Sequence, residues 1–399
     1  PIPSATPFYT GPLSPPCGLM LPLLPQEVPP QNTPTYHAEA IAELEAIMPS
    51  EALPAWQRLL NAPDTVGLAF FRVGDEANGV YLNADRPMPL ASVVKVIHLV
   101  AFVEAVADGE LNVNTFVPLA ELERFYLPNS DLGAHTAAIQ ALEEEGRVFG
   151  TPPGVTLGDV AWMMIRYSSN AATDYLHMLL SQKRLEETAV SLNLSTQTAP
   201  CPFLGQFLAM GNHTRTSSNR DAIRRYLNEP AQYGTEAMQL TDAFSQDSQF
   251  RQAEILWRSR RFGPDYNIQE FFTTHLNPHA SPRDYANLMA RIATNGLRNG
   301  ESSFQARRYL EWPMQFPVNQ ELFSNLGYKN GSLPGVLTVV YYAYRPDSPS
   351  PLVIALFYES LPRRTYQQWR RTLPHDELAR WLLAEPTALP LLRQAIAAP

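Results

Sequence analysis

The stretch PLASVVKVIHLV, residues 89–100, passes from a polar run into an apolar one with helical spacing, and it sets Ser92 and Lys95 three residues apart. On a helix that separation puts both side chains on one face, where the amine reaches the hydroxyl. Lysine is scarce in this chain: Lys95, Lys183 and Lys329 are the only three among 30 basic residues, the rest being arginine. If Lys95 is desolvated or stands beside another cation, its pKa falls and it can accept the serine's proton. A serine in the first turn of a helix also offers its own amide to a developing oxyanion.

Two further stretches repeat this economy of polar groups. YSSNAATDYL, residues 167–176, places Ser168 and Asn170 on one turn between two helical patterns, and GYKNGSLPG, residues 327–335, places Lys329, Gly331 and Ser332 at the start of a late strand. In chain order the three read Ser-x-x-Lys, Ser-x-Asn, Lys-x-Gly. In this the chain resembles the class A β-lactamases and related D,D-peptidase-like serine hydrolases, from about residue 55 to 385. The resemblance implies an α+β, β-lactamase-like fold: an antiparallel sheet built from both chain ends and flanked by helices, with a helical insertion.

It also implies roles. Ser92 is the acylated nucleophile and Lys95 its base or proton relay. Ser168 returns the proton to the leaving group, Asn170 holds substrate and Lys95, and Lys329 adds positive charge, while the amides of Ser92 and Ser332 form the oxyanion hole. Asn330 and Gly331 lie in the same substrate-binding stretch. Tyr126, in ERFYLPNSD, is a candidate aromatic wall. No cofactor and no metal are implied: His-Glu-x-x-His and Cys-x-x-Cys are both missing, as is the Gly-x-Ser-x-Gly of α/β-hydrolases.

The sequence departs from the family pattern in three places. Ser169 stands where the second motif usually has Asp. Asn330 stands where the third usually has Thr or Ser, which removes a hydroxyl that grips the β-lactam carboxylate. Where class A β-lactamases carry a Glu-x-x-Leu-Asn loop whose Glu activates the deacylating water, residues 192–213 read LNLSTQTAPCPFLGQFLAMGNH, without a carboxylate. Glu121 and Glu123 are possible bases that nothing in the sequence places near Ser92. His98 reads as a packed residue.

Composition bounds the alternatives. At 399 residues, 45% hydrophobic and 17% charged, the chain can bury a large core. Its longest apolar stretches, 96–107 and 336–344, are too short or interrupted to span a bilayer, so a soluble protein is expected. A net charge of −9 without a basic block argues against nucleic acid as partner and for a small-molecule or peptide-like acyl substrate. Cys17 and Cys201 fit no zinc spacing and leave open one long-range disulfide or two inert thiols.

Residues 1–36 hold 11 prolines and read as an extended N-terminal arm; 37–399 read as one hydrolase domain. Helices are expected from His37, then a hairpin over TVGLAFFRV and VYLNAD, a helix from about Ser92, a helical middle, a helix from Ser281, strands over GVLTVVYYAYR and PLVIALFYES, and a terminal helix. Positions 171–328, 158 residues, exceed what the family needs between its second and third motifs, which places an insertion at about 205–275 and suggests a helical lid. The proline-rich leader and missing start suit a secreted or periplasmic protein. Three readings follow: a serine hydrolase acylated at Ser92 by an amide or ester that is not a conventional β-lactam; a β-lactamase or D,D-peptidase with another deacylation base; and a non-turnover acylated sensor or binding module.

Overall fold

The computed structural model describes Cys17 and residues 35–211, 218–259 and 264–397. Apart from Cys17 and Thr35–Tyr36, the N-terminal arm lies outside the described residues. The chain is α+β and divides into two compact units. One holds Cys17, Val94–Ser191 and Thr198–Pro278; the other holds Leu192–Gln197 and the described parts of Leu24–Val93 and His279–Pro399.

The second unit is built on a five-stranded antiparallel sheet: β1 (Val66–Arg72), β2 (Val80–Leu82), β3 (Asn325–Leu333), β4 (Val336–Tyr344) and β5 (Leu352–Tyr358), in the spatial order β2-β1-β5-β4-β3. The early hairpin and late strands thus form one sheet from both ends of the chain. The sequence places Lys329, Gly331 and Ser332 at the start of a late strand; in the structure they lie on a strand of their own, β3, which pairs antiparallel with β4 and is the fifth strand of the sheet. Every residue of β5, and all of β4 except Tyr344, is buried. Both faces of the sheet are therefore covered at β4 and β5, which is why these two strands read as continuous rather than alternating apolar runs. Helices Pro282–Ala293 and Pro374–Ala384 pack on β4 and β5. The first starts as its sequence predicts: Ser281 Oγ accepts from the Asp284 amide at 3.1 Å, with proline in the first turn.

The first unit is mostly helical. Helix Lys95–Ala107 is buried over Lys95 to Ala105. The turn before it, Ala91–Val94, is a 3-10 helix, so Ser92 sits on the 3-10 turn and the α-helix begins at Lys95. A π-helical turn, Met163–Tyr167, leads to Ser168 in left-handed conformation (φ 66°), and helix Asn170–Leu180 follows at once. In the region left open by the sequence, helices run over Phe203–Met210, Asn219–Asn228, Pro230–Gln246, Ser248–Ser259 and Tyr266–Leu276. Pro230–Gln246 packs so closely on Phe203–Met210 that a Cβ at Gly205 would lie 2.0 Å from the Ala237 carbonyl oxygen. Cys17 is disulfide-bonded to Cys201, 184 residues along the chain, which settles the question the cysteine count leaves open. Among the described residues no helix is long and apolar enough to cross a membrane.

Candidate active site

The chain passes from one unit to the other between Val93 and Val94, so Ser92 belongs to the sheet unit and Lys95 to the helical one. In the helical unit, Lys95 is fully buried and its Nζ donates to the Ser168 carbonyl at 2.6 Å, to Ser168 Oγ at 3.1 Å and to Asn170 Oδ1 at 2.7 Å. The structure thus brings three of the sequence-selected residues together. The left-handed conformation of Ser168 turns its carbonyl and its hydroxyl toward the same amine. Burial pushes the Lys95 pKa down to about 7, against the attraction of Asp131 and Asp174. Desolvation leads this lowering, where the sequence left open either desolvation or a second cation.

Asp174 is the residue that sequence reading missed here. It lies four residues after Asn170 on the same helix, fully buried, and its two oxygens accept from the amides of Phe203 and Leu204, both at 2.7 Å. It thereby caps the first turn of Phe203–Met210 at the backbone of Phe203, whose ring centroid is 4.5 Å from Lys95 Nζ. Burial raises its pKa to about 7 even though those amides and Lys95 favour the carboxylate. The i, i+4 spacing in YSSNAATDYL was the available signal. The segment lacking a carboxylate in sequence therefore sets an aromatic ring beside Lys95.

Asn170 also donates from Nδ2 to the Ser130 carbonyl at 3.4 Å. Ser169 caps the same helix, its Oγ accepting from the Ala172 amide at 3.1 Å, and it meets His135 Nδ1 at 2.9 Å. The Tyr126 ring lies against His135 at a 30° tilt, centroids 4.8 Å apart, and Glu123 reaches the other imidazole nitrogen at 3.2 Å. Glu121 pairs with Arg124 instead. His98 is buried, Nδ1 on the Val94 carbonyl and Nε2 on His177 Nδ1, and burial holds its pKa well below that of a free imidazole. That is the packed residue the sequence suggested.

In the sheet unit, Ser92 is the one residue from Met88 to Val93 that is not buried. Ala91 before it takes φ 48°, a left-handed conformation that is uncommon for alanine and turns the chain sharply into the 3-10 helix. β3 is an edge strand, and Gly331 lies against this turn: a Cβ there would come within 2.7 Å of the Leu90 carbonyl oxygen, 2.7 Å of the Ser92 amide nitrogen and 2.5 Å of Thr338 Oγ1. Thr338, paired with Gly331 on β4, donates its hydroxyl to the Leu90 carbonyl at 2.8 Å. Glycine is the residue that lets the two backbones approach. Lys329 is buried, its Nζ donating to the Asn330 carbonyl at 2.8 Å, and Ser332 Oγ is 3.0 Å from Tyr366 Oη. Among the described residues no group of three or more His, Cys, Asp or Glu side chains is placed to hold a metal.

A sheet drawn from both chain ends, a lysine buried three residues after a serine, and the glycine-mediated approach of an edge strand to that serine's backbone are the features that this fold brings to the three motifs. The profile of the β-lactamase enzyme family matches residues 54–373, and the chain belongs to that family. The β-lactamase of Sphaerobacter thermophilus is 19% identical, with a TM-score of 0.50 over 86% of this chain and 99% of its own, a likeness of fold. The structure of PBP-A aligns over 83% of this chain and 96% of its own at 15% identity and a TM-score of 0.47. No curated protein matches the chain.

Proposed function

We propose that the protein is a serine hydrolase working through an acyl-enzyme at Ser92 on an amide or ester substrate other than a conventional β-lactam. The observation that carries this reading is the state of Lys95: buried, hydrogen-bonded at Nζ to Ser168 and Asn170, and lowered to about pKa 7, so that a substantial fraction is neutral near pH 7. Ser92 Oγ adds to the carbonyl carbon, its proton passing to Lys95 Nζ. The tetrahedral oxyanion rests on the amides of Ser92 and Ser332, and Lys329 contributes positive charge. Collapse breaks the bond to the leaving nitrogen or oxygen, which takes its proton through Ser168 Oγ. Water then cleaves the ester at Ser92.

The last step is the slow one for a β-lactam in this reading. Phe203 stands beside Lys95, and Asp174 has both oxygens occupied by backbone amides, which leaves it poorly placed to activate water. A penicillin adduct therefore persists. The helices over about 205–275 act as a lid that selects substrate, and the Cys17–Cys201 bridge favours an oxidising, extracytoplasmic location.

The test is intact mass after incubation with a fluorophosphonate and, separately, with a penicillin. Adducts from both, absent in Ser92→Ala and lasting hours with penicillin, are expected. Labelling by neither reagent in a folded protein would overturn the reading in favour of a binding module, and rapid loss of the penicillin adduct would establish a true β-lactamase.

A further inference from the structure

Ser169 occupies the centre of the second motif, and its surroundings specify where its proton goes. The hydroxyl oxygen accepts from the Ala172 amide at 3.1 Å, and its hydrogen faces His135 Nδ1, 2.9 Å away, because the Glu123 carboxylate on the other side of the ring can only accept. An Nδ1 that accepts leaves the hydrogen of a neutral imidazole on Nε2, which points to Glu123 Oε1 at 3.2 Å. The direction of the chain follows: Ser169 hydroxyl to His135, His135 to the Glu123 carboxylate. His135 is buried, 1% exposed, whereas the Glu123 side chain is 50% exposed. The imidazole thus links a hydrated carboxylate to a buried serine. Its own amide is tied to Asp131 Oδ2 at 3.0 Å, and the Tyr126 ring covers one face.

This matters because of what Ser169 is bonded to covalently. The carbonyl of Ser168, which accepts the 2.6 Å hydrogen bond from Lys95, belongs to the same planar peptide unit as the Ser169 amide, and that amide donates to the Met163 carbonyl at 3.1 Å. Rotating Ser169 turns the acceptor away from Lys95. We propose that His135 is a positioning residue for the reaction at Ser92: accepting from Ser169 and donating to Glu123, it fixes the Ser168–Ser169 peptide that orients Lys95. A carboxylate missing from the motif itself, where Ser169 stands, is thereby supplied one imidazole away. The inference rests on the acyl-enzyme reading of Ser92 and Lys95, but its hydrogen-bond directions are testable without it.

The experiment uses the full chain with ring-labelled histidine, read by long-range proton–nitrogen correlation at about pH 8, where a free imidazole is neutral; His135 is assigned by its loss in His135→Gln. A protonated Nε2 and a bare Nδ1 are expected, and an Nδ1–H tautomer overturns the proposal. In parallel, the penicillin acylation rate constant at saturation is separated from the preceding affinity. His135→Phe, similar in volume and without hydrogen bonds, is expected to lower that rate constant about 10-fold, the loss of about 1.4 kcal/mol of orientation, with affinity unchanged. His135→Gln, which can still accept and donate, should stay within about 3-fold. Wild-type acylation by a folded His135→Phe overturns the proposal. Should His135→Phe fail to fold, Glu123→Leu at its exposed position, which removes the acceptor altogether, decides by the same rate: a fall of about 5-fold or more supports it and an unchanged rate overturns it. If wild-type Ser92 takes no label, the acyl-enzyme reading fails and the tautomer alone decides for His135.

Discussion

Burial separates Lys95 from Lys183. The Lys183 side chain is 55% exposed and makes a surface pair with Glu187 at 3.6 Å, while Lys95 has no exposure at all. Because the Lys95 pKa sits near 7 rather than above 10, its neutral form is present above about pH 7 and lost below it. Ser92 acylation should accordingly rise with pH through a midpoint near 7 and level off, as read by intact mass; a rate independent of pH between about 5 and 9 would remove Lys95 as the base. In stability the sign is the same. Between about 7 and 10 the unfolded chain binds a proton at this lysine that the folded chain does not, so its contribution to stability rises with pH over that window. Gly331 gives a second residue-scale prediction. Gly331→Ala forces a methyl into the Leu90 and Ser92 backbone, and is expected to cost about 1–3 kcal/mol and to suppress acylation, checked by thermal melt and adduct formation.

At the scale of elements, helix Phe203–Met210 is held by one carboxylate at its start and one glycine in its body. Asp174→Asn keeps the volume but offers one acceptor to two amides, so a loss of about 1–3 kcal/mol is expected in chemical denaturation. The same change removes a charge that raises the Lys95 pKa, so the acid limb of acylation should move below 7; an upward shift would contradict the coupling. Gly205→Ala drives a Cβ into the Ala237 carbonyl and should separate this helix from Pro230–Gln246, seen as a lowered Tm. Elements with a strong pattern were legible: the hairpin of β1 and β2, the two apolar strands, the capped helix at Ser281. That β3 is a strand separate from β4 was not legible, because its glycine and polar residues serve close backbone approach and give weak strand propensity, and neither was the π turn before Ser168, whose register depends on packing.

For the whole molecule, the Cys17–Cys201 bridge is the longest covalent constraint, closing a loop of 184 residues. By the chain-entropy argument, breaking it removes about 3–5 kcal/mol, so Cys17→Ser should lower the midpoint of denaturant unfolding without changing the adduct formed at Ser92. An unchanged midpoint would mean that the bridge constrains little of the unfolded chain. Cysteine count left this pairing open, since two thiols far apart in sequence say nothing of their distance in space.

What the sequence determined by itself is the set of motif residues and their local spacing: Ser92 and Lys95 three residues apart on one helical run, Ser168 and Asn170 on one turn, Lys329 to Ser332 on one strand, and the apolar runs that become a covered sheet. These are properties of neighbours along the chain, fixed by backbone geometry over a few residues. The tertiary structure alone decided which lysine loses its water, which ring stands beside it, that Asp174 ties down the segment lacking a carboxylate, and that Glu123 reaches Ser169 through His135. Each depends on groups tens of residues apart, and desolvation and hydrogen-bond direction exist only once those groups are packed together.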